Sequence, residues 1–181
     1  MTQLAINTLH GRFGRLLADH GNIVFKVTNT YCRHAEDRRD LAQEIRLQLW
    51  RAFPSYDADR KFSTWMYRIA LNVAISHVRR AGARLQQAGA QAGDMAEGEA
   101  MIDIDGAAEH EATVEPDERV AALRRFIGAL DTLNRALLLL YLEEHSYAEI
   151  AEILGISATN VATKLNRLKQ RARLHVAPSR E

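Results

Sequence analysis

Amides, a hydroxyl and cations are concentrated near the C-terminal end of the sequence, at Asn160, Thr163, Lys164, Asn166 and Arg167, trailed by Lys169, Arg171 and Arg173. The apolar residues between them, Val161, Leu165 and Leu168, recur at steps of four and three, which places the polar set on the outer face of a helix. Amide, hydroxyl and guanidinium groups read base edges in a DNA major groove, and the trailing cations suit phosphates. The plainer alternative is a helical hairpin whose polar face is merely solvated. What precedes the helix favours DNA. Ser146-Tyr147-Ala148-Glu149 is a capping box that starts a short helix, with Tyr147, Ile150, Ala151 and Leu154 expected inward. Gly155 ends that helix, Ile156 plugs the corner and Ser157 caps the next one. This is helix-turn-helix spacing.

A second set lies on a helix expected from Ser63 or Thr64 to about Arg80. Trp65, Arg68, Asn72 and Arg79 share one face of it, opposite Met66, Ile69 and Val73, with Phe62 also buried. Rings stack on unpaired bases, guanidinium groups hold the backbone, and an amide hydrogen-bonds an extruded base, so the set suits single-stranded DNA. Taken alone it describes equally well a packed ring with solvated charges. Tyr56, Lys61 and Tyr67 lie close in sequence. A third group, Glu36, Asp37, Asp40 and Glu44, borders the apolar steps Leu41, Ile45 and Leu49. Acids near a helix start complement its dipole, and they also offer a docking surface for a basic partner.

Catalytic patterns are missing. The seven histidines show no zinc-protease spacing, and no phosphate-binding glycine loop or nucleophile elbow occurs. Asp103-Ile104-Asp105-Gly106 lacks the further acids of a calcium loop. The single cysteine, Cys32, reads as a buried thiol. No metal, cofactor or enzymatic activity is expected.

The elements that position these residues follow from composition. With 181 residues, three prolines and few strand-like runs, the chain is expected to be all-α, in two small helical domains. A net charge of +1 conceals strong segregation. Residues 1–80 hold 13 Lys/Arg against 7 Asp/Glu, and residues 119–181 hold 10 against 6. From 94 to 118 there are 10 acids and no Lys or Arg. Residues 81–118, interrupted by five glycines, are therefore expected to be a flexible acidic linker between two basic lobes. The longest apolar run, Ala136 to Leu142, is seven residues, too short to span a bilayer, so a cytoplasmic protein without membrane contact is expected.

The two lobes in this order resemble the extracytoplasmic-function sigma factors of bacterial RNA polymerase. In the first lobe the resemblance lies in Asp40-Leu41-Ala42-Gln43-Glu44, in Leu49-Trp50-Arg51-Ala52-Phe53 and in the run from Phe62 to Asn72 that ends at Arg79-Arg80. In the second it lies in Tyr141-Leu142-Glu143 and in the run from Ser146 to Ser157 with the helix after it. The resemblance implies a region 2 domain over 1–80, a region 4 domain over 119–175 and a tail over 176–181. It implies minus-ten contacts from Tyr56, Lys61, Trp65, Arg68, Asn72, Arg79 and Arg80, with Asn72 on a captured base and Trp65 either core or DNA-facing. It implies minus-thirty-five contacts from Asn160, Thr163, Lys164, Asn166, Arg167, Lys169 and Arg171. The helix carrying Asp40, Leu41, Gln43, Glu44, Leu47 and Trp50 would dock on the clamp helices of the polymerase largest subunit, with residues 138–142 near the flap. An anti-sigma factor is a further implied partner. Ser76 and Ala162 depart from residue types common in the family at those positions, so no base preference follows. The rival readings are an autonomous helix-turn-helix regulator and a polymerase-binding protein that does not read DNA.

Overall fold

A computed structural model of the chain describes residues 3–90 and 118–176, and all regular structure among them is helical. The order is α1 (Gln3–Asp19), α2 (Asn22–Tyr31), α3 (Ala35–Ala52), a single 3-10 turn (Phe53–Ser55), α4 (Phe62–Ala90), α5 (Glu118–Gly128), α6 (Thr132–Leu142), α7 (Tyr147–Leu154) and α8 (Ala158–Val176). The chain divides into two compact units, Met1–Val78 and Arg79–Glu181.

In the first unit α3 directs Leu41, Ile45 and Leu49 wholly inward, the spacing of four expected of one helix face. Val24 and Val27 of α2 and Met66, Ala70, Leu71 and Ala74 of α4 fill the same interior. Each leucine-sized side chain so buried contributes about 2 kcal/mol. Ile69 and Val73, expected inside, are half-buried flanks, and Tyr67 is in the core instead. The expected caps Ser63 and Thr64 are also displaced. The Trp65 N–H already bonds the Lys61 carbonyl, so α4 starts at Phe62, and Thr64 is a buried helical residue. Pro54 in the 3-10 turn separates α3 from α4 as its fixed φ requires. Cys32, just beyond α2, is buried. Burial, helped by the Asp37 charge, pushes its thiol from about 9 up to about 11.

One boundary differs from the sequence reading. The expected linker begins at 81, yet α4 continues through Gly82 and Gly89 to Ala90. Glycine weakens a helix by only about 1 kcal/mol, which an otherwise helix-forming stretch of Ala, Arg, Leu and Gln tolerates. The remainder of that segment, the acidic strip and the calcium-like motif lie outside the described residues.

In the second unit Phe126, Leu137, Leu140, Ile150, Val161 and Leu165 form a closed interior. Asp131 caps α6 by accepting from the Asn134 N–H at 2.8 Å. Arg135 is buried, and its Nη2 donates to the carbonyls of Gly128 at 2.9 Å and Leu130 at 3.0 Å. It thereby satisfies acceptors left open where α5 ends.

Candidate nucleic-acid interface

The helix-turn-helix forms as its sequence dictates. Ser146 Oγ accepts from the Glu149 N–H at 3.2 Å, and Glu149 Oε2 accepts from the Ser146 N–H at 3.0 Å, so α7 starts with a closed capping box. Gly155 adopts φ +68°, the left-handed turn that glycine takes without strain, and its N–H closes on Ala151. Ser157 Oγ then accepts from the Asn160 N–H at 3.2 Å, and α8 begins. Val161, Leu165 and Leu168 anchor α8 on the interior. Asn160, Thr163, Asn166, Arg167 and Arg171 are left exposed, and Lys164 half-exposed.

Four details refine that face. Thr163 Oγ1 donates to the Thr159 carbonyl at 2.9 Å, so its proton is engaged within the helix. Lys169 lies 4.0 Å above the Tyr141 ring and 3.5 Å from the Tyr147 hydroxyl. Tyr141, and then Tyr147, hold its pKa above the ordinary lysine value. Arg171 lies 5.9 Å from the Phe126 ring centroid, within cation–π range. Tyr147, expected inward, is 37% exposed; Ile153 takes the interior position that the sequence reading did not assign.

Along α4, Arg68 and Asn72 of the first unit are exposed, as are Arg79 and Arg80 just past its boundary. Trp65 is half-buried among Phe53 at 6.3 Å, Phe62 at 5.3 Å and Tyr56 at 5.0 Å, so the ring belongs to an aromatic cluster at the base of that face. Tyr56 is half-buried in the same cluster, and its hydroxyl donates to the Arg60 carbonyl at 2.6 Å. Lys61 is exposed at the end of the loop.

The expected docking set on α3 separates into two kinds. Asp40, Gln43 and Leu47 are exposed at steps of three and four, Leu47 by 47%. Leu41 is fully buried and has no surface for a partner, because it points to the opposite side of α3 from Asp40 and Gln43. Trp50 is half-buried, tilted against His10 at 4.2 Å and edge-on to Phe13 at 5.2 Å. Glu44 Oε2 lies 3.3 Å from His77 Nδ1, an ion pair when the imidazole is protonated, which ties α3 to α4. His77 escaped the sequence reading, since a partner 33 positions away leaves no local spacing signal. Among the described residues no group of His, Cys, Asp and Glu is arranged to hold a metal.

Two family models match, Sigma-70 region 2 over residues 16–84 and Sigma-70 region 4 over residues 121–171. The ECF RNA polymerase sigma factor SigW of Bacillus subtilis is 31% identical over 153 residues, spanning 83% of this chain and 81% of that protein. The chain is an extracytoplasmic-function sigma factor. As such it directs RNA polymerase to specific promoters for the initiation of transcription. The RNA polymerase sigma-H factor of Pseudomonas aeruginosa is 28% identical to this sigma factor over 162 residues, covering 87% and 82% of the two chains. Solved structures share the fold. CnrH, in complex with the cytosolic domain of CnrY, matches with a TM-score of 0.60 at 24% identity, covering 93% of this chain and 89% of that one. RpoE of Bartonella quintana, in complex with the anti-sigma factor NepR, matches with a TM-score of 0.67 at 18% identity, covering 92% and 97%. No described helix of the sigma factor is long and apolar enough to cross a membrane.

Proposed function

We propose that this sigma factor divides promoter recognition between α4 and α8 and takes no part in the chemistry of RNA synthesis. The observation that carries the reading is the pair of exposed polar faces, each backed by a closed core. One is Arg68, Asn72, Arg79 and Arg80 on α4; the other is Asn160, Thr163, Asn166 and Arg167 on α8.

The α4 face takes the unpaired minus-ten strand. Asn72 hydrogen-bonds an extruded base, Arg68, Arg79, Arg80 and Lys61 hold the sugar-phosphate chain, and the Trp65 and Tyr56 rings form the wall beside it. The α8 face enters the major groove at minus thirty-five. Asn160, Asn166 and Arg167 read base edges there, while Lys164 and Arg171 hold phosphates. The Thr163 hydroxyl donates its proton to the backbone, which leaves its oxygen to accept from a base amino group and its methyl for apolar contact. Lys169, bound to Tyr141 and Tyr147, supports the helix and adds charge near the duplex.

Core polymerase docks on Asp40, Gln43, Glu44 and Leu47, with Trp50 supporting them and the basic clamp helices as the complementary partner. Leu142, 57% exposed at the end of α6, is the apolar contact for the flap. The relatives solved with CnrY and with NepR motivate an anti-sigma partner here too, in the cytoplasm.

The test is transcription in vitro with core polymerase on a genomic fragment library. New, defined start sites that depend on the protein and are lost with Asn72→Ala or Arg167→Ala support the reading. Duplex binding without core, and no new starts with it, would move the chain to an autonomous regulator.

A further inference from the structure

The loop entering α4 is tied more tightly than its exposure explains. Asp57, Ala58, Asp59, Arg60 and Lys61 all face solvent. Beneath them the Tyr56 ring is held nearly parallel to Phe53 at 5.9 Å, edge-on to Phe62 at 5.3 Å and tilted on Trp65 at 5.0 Å. From that fixed ring the hydroxyl crosses the loop to the Arg60 carbonyl at 2.6 Å. Asp57 Oδ1 accepts from the Asp59 N–H at 3.1 Å, and the Arg60 N–H bonds back to the Asp57 carbonyl at 3.2 Å. The Asp57 carboxylate also lies 3.8 Å from the Arg60 guanidinium.

A phenylalanine would fill the aromatic cluster equally well, so the hydroxyl serves the loop and not the core. We infer that Tyr56 is a positioning residue for minus-ten recognition: its hydroxyl holds residues 57–61 in one shape, forming a preset rim for the extruded base. The inference rests on the reading of α4 as the unpaired-strand face. A loop ordered before binding loses little conformational entropy when it closes on DNA, and it rejects bases of the wrong outline. Freed from the Arg60 tie, the same loop adapts to several bases. This role adds to the place of the Tyr56 ring in the wall beside the strand. The hydroxyl proton is committed inside the loop.

Once the promoter motif is mapped, wild-type protein and Tyr56→Phe are each reconstituted with core polymerase. Open-complex formation is followed by permanganate reactivity on templates carrying each of the four bases at every unpaired minus-ten position. Tyr56→Phe is expected to bind core with unchanged affinity and to lose at least threefold of its preference at one position only. Asp57→Ala loosens the same loop without touching a ring, and it is expected to weaken the same position. Wild-type preference at every position in Tyr56→Phe would overturn the inference. Asn72→Ala, run beside them, separates the two claims. A loss with Asn72→Ala and none with Tyr56→Phe removes the rim alone, whereas no loss with either removes the α4 reading as well.

Discussion

Arg167 and Cys32 show how differently an exposed and a buried side chain report on the molecule. Arg167 is exposed on α8, and in the proposed reading its guanidinium pairs with acceptors on a base edge. Arg167→Ala is expected to lower promoter-specific transcription by about tenfold, matching the 1–3 kcal/mol of one such pair, with the thermal midpoint unchanged. The check is run-off transcription beside thermal unfolding. Cys32 behaves in the opposite way. Burial raises its thiol to about 11, so the folded protein is expected to resist thiol-modifying reagents at pH 8 and to react fully once unfolded in urea. The same shift has a sign in stability. Below about 9 the thiol is neutral in both states and its contribution is intact; as pH rises toward 11 only the unfolded chain ionises, and that contribution is lost. Urea titrations at pH 8 and pH 10.5 check this.

At the scale of elements, two glycines carry opposite expectations. Gly82 lies inside α4, where an added Cβ meets nothing within 4 Å, so Gly82→Ala is expected to stabilise the helix by about 0.5–1 kcal/mol. Gly155 is at φ +68°, and Gly155→Ala is expected to destabilise the second unit by about 1 kcal/mol. Thermal unfolding of both variants decides the signs. These elements also show what a sequence discloses. The α7 start, the Gly155 turn and the α8 anchors were legible because each depends on residues within four positions of one another. Most of the polar α8 face followed from the same spacing. The inward turn of Tyr67 and the pairing of His77 with Glu44 depend on neighbours brought together by packing. The full extent of α4 is hidden because Gly82 and Gly89 signal a break where their cost is small.

For the whole molecule, two closed interiors predict separable folding. Fragments 1–90 and 118–181 are each expected to melt cooperatively when followed by circular dichroism. A fragment with no cooperative transition would contradict it. The basic faces further predict that promoter binding by the reconstituted polymerase weakens steeply with salt, and that Arg79→Ala and Arg171→Ala each lower the slope. The boundary between the units falls at Val78, while α4 runs unbroken to Ala90. At 1.5 Å per residue, the twelve residues past Val78 make a rod of about 18 Å continuous with the helix that carries Asn72. Such a rod is a spacer: the chain travels that far from the first unit before its helix ends.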